Sequence, residues 1–426
     1  MTATDRHSLS IAGADRDAAR GYDRYVAEFL SYGSNLRDLF AVADANPGAP
    51  LLSAHAAALH MAFEGAEGWT AAGPCLDRMR AARKDASARE QLFCDAVEAW
   101  SLKRFRAAFN ALDELTVRWP ADLCALKWGQ YHAFNLGDRH ALLRLAQRAR
   151  VVHEGAPYAH GMIAFALEQN HRLDEAEEDG LRATEIAIDD AWAHHAVAHV
   201  METQGRARDG ARWLDRCAHT WEKKGVFIRD HNWWHAALFS LALGREQDAL
   251  GIYDARLWGA WPEFPQEQIG AVSMLWRLDL RGIDVGARWT PVVEQARARA
   301  GEHLFPFHDL HYVYAIARAG EAGEAEAFLS SLRAHADAQE GEAALVWRET
   351  CLPAAEAIVD FLAGACDAAA RKLAWIAPRL HRIGGSHAQR HIFEETRIAC
   401  RRGGALDGTI PDGKTEGGET GRRSAR

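Results

Sequence analysis

A spacing of 34 residues between successive turn positions is the feature that most limits how this chain can fold. Lys103, Gly137, His171 and Gly205 follow one another at this interval. Mostly small residues recur seven positions before each turn and five positions after it, namely Ala96, Gln130, Ala164 and Ala198 before the turns and Ala108, Leu142, Ala176 and Gly210 after them. Small residues at both places let the two helices around a tight turn approach closely.

The same frame continues towards the C-terminus. It fits Gly244, and more loosely Gly320 and Gly364. Strand signals are scarce, whereas Ala, Leu, Arg and Glu recur at helical spacing. A helix pair of this period is typical of tetratricopeptide repeats (TPRs), which bury their apolar faces by stacking on neighbouring pairs. The sequence therefore predicts an all-α fold, a TPR-type α-solenoid in which antiparallel helix pairs form a right-handed superhelix that could close around a central pocket.

The pattern divides the chain into six segments. We expect a flexible N-terminus over 1–21, an atypical N-terminal helical cap over 22–85, regular 34-residue repeats over 86–254, an insertion with a loop and a helix over 255–300, C-terminal TPR-like helices over 301–402 and a disordered tail over 403–426. Pro262 and Pro265 predict the loop of the insertion, because proline interrupts a helix. The tail is Gly-rich and polar, so it has little apolar surface with which to order itself.

Charge and composition exclude several classes of partner. The net charge of −9 leaves no basic footprint for nucleic acid and no polybasic face for a lipid surface. Charged residues stand where a signal peptide would need an apolar core, and no stretch has the length and apolarity of a transmembrane helix. Seven cysteines without a C-x-x-C pair favour packed thiols in a reducing compartment. These features predict a cytoplasmic protein that binds neither nucleic acid nor a membrane.

Histidines and carboxylates occupy positions of the repeat frame that face the concave side. His195, His199 and Glu202 follow one another at i, i+4 and i+7 on one stripe of a helix. Glu168 precedes Glu202 by 34 residues, so both carboxylates should project from adjacent helices into the same space. The frame itself does not require these residues, which makes them candidates for a site.

Three later motifs add to this set. "HNWWH" contains His231 and His235 as a second i, i+4 pair, beside Trp234. "DLH" supplies Asp309 and His311 near the start of another helix. "GGSHAQR" presents Ser386, His387, Gln389 and Arg390, with a serine that can begin a helix. All these clusters lie on an inner stripe or at the same end of a helix, so we predict that they converge on one concave site.

Two kinds of chemistry suit such a site. Neutral imidazoles at i, i+4 can share one cation, so His195, His199, His231 and His235 are candidate ligands for a divalent metal such as Zn, Mn or Fe. A metal-free site would use histidine-based general acid/base catalysis on a small polar substrate. The candidate catalytic residues are His195, His199, Glu202, His231, His235, Asp309, His311 and His387, and the candidate substrate-binding residues are Glu168, Trp234, Ser386, Gln389 and Arg390.

Two other interpretations remain open. Any single histidine is better explained as a half-buried packing residue bonded to a backbone carbonyl, and only the joint pattern resists that explanation. The chain could also be a non-catalytic TPR scaffold that binds a peptide or protein partner in its concave groove. Peptide-binding TPR domains often use Lys, Arg and Asn in the groove to clamp a carboxylate. Here the groove positions carry His, Glu and Trp instead, which favours a small-molecule ligand and an enzyme. An enzyme and a binding scaffold are both compatible with a homodimer.

From about Tyr22 to Ala399 the chain resembles the tetratricopeptide repeat protein 38 family. The motifs that carry the resemblance are "GMIAFALEQ" (161–169), "HAVAHVMETQGR" (195–206), "HNWWHAALF" (231–239), "DLH" (309–311) and "GGSHAQR" (384–390). The resemblance implies a TPR-type fold and the site positions named above, but it supplies no activity. Two residues depart from the family pattern: His391 stands in place of Asp, and His308 in place of Asn. If that Asp takes part in the family's chemistry, the departure implies a changed substrate or mechanism.

Overall fold

The computed structural model describes residues 2–402, which fold into helices packed on one another. Two short strands come first, β1 (Thr2–Thr4) and β2 (Ser10–Ala12). The α-helices in chain order are α1 (Arg16–Ser31), α2 (Asp38–Ala45), α3 (Pro50–Met61), α4 (Ala66–Ala82), α5 (Ala88–Ser101), α6 (Phe105–Arg118), α7 (Leu123–Asn135), α8 (Arg139–Val152), α9 (Ala159–Gln169), α10 (Leu173–Ile186), α11 (Ala191–Thr203), α12 (Ala207–Cys217), α13 (Val226–Ala242), α14 (Glu246–Ile252), α15 (Pro265–Asp279), α16 (Trp289–Arg299), α17 (Pro306–Ala319), α18 (Glu324–Asp337), α19 (Gly341–Val346), α20 (Leu352–Leu362), α21 (Cys366–Ile376) and α22 (His387–Arg401). The predicted all-α class is confirmed.

The turn positions of the 34-residue frame share one backbone conformation. The angle φ is 58° at Lys103, 65° at Gly137, 56° at His171 and 71° at Gly205. A left-handed residue here lets the amides just past the helix bond back to its last carbonyls, which ends the helix and reverses the chain. The helices on either side of each turn, such as α5 and α6 or α9 and α10, therefore pack together as hairpins.

Small residues sit where consecutive helices approach most closely. Ala164 and Ala176, on the two helices of one hairpin, are completely buried. Gly210 of α12 leaves no room for a side chain, because a Cβ atom there would lie 2.1 Å from the ring of Phe239 on α13. The recurrence of small residues in the sequence is therefore a packing requirement of this arrangement.

The 34-residue frame is less regular in the C-terminal part of the chain. Gly364 takes the expected left-handed conformation with φ of 79°. Gly320 instead has an extended backbone, and the left-handed residue is Gly323, three positions later, with φ of 87°. The connection between α17 and α18 is therefore longer than a regular turn, which explains why the sequence fits the frame only loosely here.

The N-terminal segment differs from the expectation of a flexible stretch over 1–21. Its strands pair antiparallel, with Thr2 opposite Ala12. Ile11 is completely buried, and the amide of Ala12 donates to Glu90 of α5 across 2.8 Å. The segment is held because Ile11 is buried in the core and a backbone amide of β2 finds an acceptor on α5, long-range contacts that the local sequence does not reveal.

The two ends of the helical array touch. Arg299, at the end of α16, forms a double hydrogen bond with Glu67 of α4, with N···O distances of 2.7 and 2.8 Å. Arg106 of α6 pairs with Glu342 of α19 across 2.8 Å. The segment 255–300, which we expected to contain a loop and a helix, contains two helices, α15 and α16, and supplies part of this closure.

No helix within residues 2–402 combines the length and the apolarity needed to cross a membrane. The tail that we expect to be disordered, 403–426, lies outside the described residues.

Candidate metal centre and interior pocket

Four histidines from two neighbouring helices converge at one point. His195 and His199 lie one turn apart on α11, and His231 and His235 lie one turn apart on α13. One ring nitrogen from each can be chosen so that all four lie within 4.8 Å of one another. The i, i+4 spacing puts both members of a pair on the same face of their helix, and the packing of α11 against α13 brings the two faces together.

The contacts within the cluster bring three Nε2 atoms together. The Nε2 atom of His195 lies 2.9 Å from Nε2 of His199 and 3.1 Å from Nε2 of His231. A neutral imidazole nitrogen either donates one proton or accepts one through a single lone pair, so Nε2 of His195 cannot make a full hydrogen bond with both neighbours. Metal–nitrogen bonds of about 2.0–2.1 Å place adjacent ligands roughly 3 Å apart, which is close to this spacing.

Burial keeps the four rings neutral. His195, His199 and His235 are at most 1% exposed, and His231 is half-buried. Loss of solvent lowers the pKa of all four imidazoles, to about 3 for His235, and the neighbouring histidines lower the pKa of His195, His199 and His231 further. The neutral ring is the form that binds a metal, because the charged ring has no free lone pair.

Carboxylates contact two of the rings from behind. Nδ1 of His235 donates to Oε2 of Glu202 across 3.2 Å, and Nδ1 of His199 lies 3.7 Å from Oε2 of Glu168. Burial raises the pKa of both Glu168 and Glu202 to about 7. With its Nδ1 proton held by Glu202, His235 turns a bare Nε2 towards the cluster, and this buried atom has no hydrogen-bond partner among the described residues. A carboxylate that accepts from Nδ1, as Glu202 does, fixes the tautomer and orientation of a metal-binding imidazole.

An interior pocket of about 1130 Å³ reaches the cluster. His195 and His231 form part of its wall. Its other walls come from both ends of the chain and are rich in aromatic side chains, including Phe29, Trp128, Tyr131, Phe165, Trp192, Phe227, Trp261, Phe264 and Phe305. A concave, mostly apolar cavity of this size with a few convergent polar groups is typical of small-molecule sites.

Ser386 and Gln389 also reach the pocket, but their polar atoms are engaged in a helix cap. The Ser386 hydroxyl accepts from the Gln389 amide across 3.2 Å, and the Gln389 side chain accepts from the Ser386 amide across 2.8 Å. This reciprocal arrangement is a capping box at the start of α22. Capping explains both residues without a bound substrate.

His387 and Arg390 lie beside a second cavity. Nε2 of His387 donates to the carbonyl of Gln169 across 3.2 Å, and Arg390 donates to the carbonyl of Gly384 across 3.3 Å. Both side chains line that second cavity and do not join the four histidines. His391, which departs from the family pattern, has a side chain that is 61% exposed.

The remaining predicted residues have contacts of their own. Asp309 accepts from Nδ1 of His303 across 2.6 Å, and His303 in turn lies 2.9 Å from the Ser331 hydroxyl. His311 donates to the carbonyl of Phe307 across 2.8 Å, with its ring packed on Trp276 and Phe307. Trp234 is buried and stacks on His231 at 5.4 Å, so it supports a ring of the cluster from outside the pocket.

Sequence reasoning missed a buried acid on the pocket wall. Glu64 accepts from the Tyr131 hydroxyl across 2.7 Å and from the Gln266 amide, and it lies 3.1 Å from Nε2 of His308. Burial acts to raise the pKa of Glu64, but these hydrogen bonds outweigh burial and the pKa is lowered. Glu64 has a φ of 68° in the turn between α3 and α4. That hairpin lies outside the 34-residue frame, so the only available signal was the histidine at position 308, where the family pattern has Asn.

A comparison with models of known protein families finds none that matches the chain.

Proposed function

We propose that this protein is an enzyme that uses a divalent transition metal, held by His195, His199, His231 and His235, to act on a small molecule in the interior pocket. The observation that carries the proposal is the convergence of four neutral imidazoles within 4.8 Å. An all-imidazole ligand set suits Zn and Fe in particular, while Mn more often takes oxygen ligands.

The residues around the proposed centre have separable roles. A cation there would act as a Lewis acid on an oxygen atom of the bound molecule. Glu202 orients His235 through a hydrogen bond, Glu168 places a carboxylate 3.7 Å from Nδ1 of His199, and Trp234 supports the ring of His231. His195 and His231 form the side of the cluster that faces the pocket, so the ligand would approach from there. With a molecule bound, the aromatic walls would reduce the water around the reacting atoms, which strengthens electrostatic interactions there.

We further propose that the helix pairs form a TPR-type right-handed solenoid that belongs with the tetratricopeptide repeat protein 38 family and works in the cytoplasm. The left-handed turns at 34-residue spacing support the repeat type. Support for the family comes from its motifs, since the "HAVAH" and "HNWWH" histidines are the four that converge.

A peptide-binding scaffold is the weaker candidate. A TPR groove that receives an extended peptide or a helix needs an open concave face. Here the ion pair of Arg299 with Glu67 and the contacts of Glu64 with Gln266 and His308 join the two ends of the array beside the pocket. Such a closed wall favours a small ligand.

Metal binding provides the first test. We expect the purified protein, or protein stripped with chelator and reloaded with Zn²⁺, Mn²⁺ or Fe²⁺, to hold about one metal ion per chain by elemental analysis. His199→Gln and His235→Gln should each lower metal affinity by tenfold or more, because each removes one nitrogen ligand. His219→Gln is the matched control, since His219 is exposed on a segment away from the cluster.

Glu202→Gln tests the supporting carboxylate separately, with an expected loss of about 10- to 100-fold in metal affinity and retained folding by circular dichroism. The metal proposal fails if neither wild-type preparation binds stoichiometric metal, or if His199→Gln and His235→Gln bind it as tightly as His219→Gln. A metabolite that raises the melting temperature only of the metal-loaded protein would link the centre to a ligand.

A further inference from the structure

A second cavity, of about 1150 Å³, lies between helices of the N-terminal and the C-terminal halves of the chain, and its lining is strongly basic. One wall is formed by the turns before α6 and α8, and the opposite wall by the segment that leads into α22. Gly137 marks how tightly these walls fit, because a Cβ atom there would lie 1.9 Å from the carbonyl oxygen of His381. We call this cavity the basic crevice.

Most of the cationic side chains in the basic crevice lack an acidic partner. Asp138 and Glu342 are the two carboxylates that line it, and both pair with Arg106, across 3.0 and 2.8 Å. Within residues 2–402, no ion pair is formed by the other five cationic side chains that line it, Lys103, Arg104, Arg139, Arg382 and Arg390.

The like charges come from opposite walls. Arg139 belongs to the first turn of α8, whereas Arg382 and Arg390 belong to the C-terminal wall. Arg390 is half-buried, and its pKa is lowered to about 10, first by loss of solvent and also by the charge of Arg139, although Glu168 acts in the other direction. Glu168 has no oxygen within ion-pair distance of Arg390. Closing the array therefore brings cations together, which costs free energy unless an anion lies between them.

Two further features favour an anion. The protein as a whole carries a net charge of −9, so a basic cavity stands out from its surroundings. The first turn of α6 faces the basic crevice, and its N-cap, Arg104, provides no side-chain acceptor for the helix amides. The partial positive charge of that helix end therefore adds to the field of the side chains.

We propose that the basic crevice is a binding site for a small oxyanion, a molecule that carries phosphate or carboxylate groups. Planar guanidinium groups pair with both groups through two parallel hydrogen bonds. This oxyanion site is separate from the proposed metal centre and does not depend on it, because its cationic residues are not among the four histidines. The two cavities share part of their lining, including Phe305 and Gly385, so an anion held here lies next to the interior pocket.

Calorimetric titration of the full chain tests the proposal with pyrophosphate and citrate as probes, at constant ionic strength and after removal of metal with chelator. We expect saturable binding of at least one probe, and binding about tenfold weaker or worse in Arg139→Gln and in Arg382→Gln. Arg208→Gln removes the same charge from an exposed position of α12 and should bind like the wild type. Arg139→Lys keeps the charge but loses the planar fork, so its affinity should lie between those of the wild type and Arg139→Gln.

The two probes also distinguish a phosphate-bearing ligand from a carboxylate-bearing one. Binding of pyrophosphate alone would assign a phosphate-bearing ligand, and binding of citrate alone a carboxylate-bearing one. If neither probe binds at millimolar concentration, or if Arg139→Gln and Arg382→Gln bind as tightly as Arg208→Gln, the basic crevice is not an anion site. Because the protein is metal-free in this experiment, its result is independent of the four histidines.

Discussion

Two adjacent histidines of α11 differ in their contacts, so that packing explains His194 but not His195. His194 has both ring nitrogens paired, since Nδ1 accepts from the Trp221 indole across 3.2 Å and Nε2 donates to the carbonyl of Ile188 across 3.1 Å. His195 has a buried Nδ1 without a partner among the described residues, and its Nε2 faces two other imidazoles. An unsatisfied buried polar atom costs about 1–3 kcal/mol. A cation shared by the four rings would bind Nε2 of His195 and so resolve the conflict between the facing Nε2 atoms, which packing alone does not.

Buried neutral histidines should also make the protein sensitive to acid, and His132 allows this effect to be measured apart from the four-histidine cluster. His132 is 1% exposed against Trp100, and burial lowers its pKa from 6.5 to about 3. The unfolded chain therefore takes up a proton before the folded chain does, so stability is full above pH 6.5 and falls as the pH drops towards 3. Each such histidine contributes a slope of about 1.4 kcal/mol per pH unit in that window.

We expect His132→Phe to flatten the dependence of unfolding free energy on pH between 6.5 and 4 by about one proton, because phenylalanine can pack on Trp100 without titrating. Urea denaturation at several pH values measures the slope. The exposed His140 provides the control, and His140→Phe should keep the wild-type slope. Equal slopes in both variants would show that burial of His132 is not what makes acid destabilise the protein.

At the scale of helices, the local chemistry of the sequence predicts most of the hairpins and much of the site. The 34-residue spacing places the turns at Gly137 and Gly205, and both take the left-handed backbone that such turns require. Because the frame also sets which face of each helix is inward, it predicts that the histidine pairs of α11 and α13 meet. It could not predict that Asp309 turns to His303 instead, since this contact depends on the loop before α17.

The helix cap formed by Ser386, in the "GGSHAQR" motif, has a role that can be tested directly. Ser386 starts α22 and Ser87 starts α5, each through a capping box, and only Ser386 reaches the interior pocket. We expect Ser386→Ala and Ser87→Ala each to lower the free energy of unfolding by about 1 kcal/mol, because each leaves a helix amide without its acceptor. Chemical denaturation measures the loss. A normal stability for Ser386→Ala would argue against the capping role and return Ser386 to the set of ligand-binding candidates.

At the scale of the whole molecule, closure of the array is what the sequence does not reveal. Gln266 contacts Glu64 across 202 positions of the chain, and Glu342 contacts Arg106 across 236. A repeat frame describes only contacts between neighbouring repeats, so contacts at such separations leave no periodic trace. Both cavities depend on this closure, because each is lined by residues from the N-terminal and the C-terminal halves of the chain.

Alanine substitutions at two glycines in equivalent turns can distinguish two contributions to stability. One is the closure of the array, and the other is the left-handed backbone conformation of the turn. Gly137 and Gly205 have φ angles of 65° and 71°, so alanine at either position is strained by roughly 1 kcal/mol. An added Cβ meets open space at Gly205, but at Gly137 it would lie 1.9 Å from the His381 carbonyl and force the C-terminal wall to move. We therefore expect Gly137→Ala to destabilise the protein by about 1–3 kcal/mol more than Gly205→Ala, in the range typical of steric overpacking.

Denaturation midpoints of the two variants measure the difference, and amide hydrogen exchange over 377–390 locates it, since Gly137→Ala should loosen that segment and Gly205→Ala should not. Arg139 and Arg382 lie on the two walls that would separate, so Gly137→Ala should also weaken any oxyanion bound in the basic crevice. Equal midpoints and equal exchange in the two variants would mean that the contact between Gly137 and His381 contributes nothing to holding the ends together. Closure would then rest on the ion pairs of Arg299 and Arg106 and on the contacts of Glu64 with Gln266 and His308.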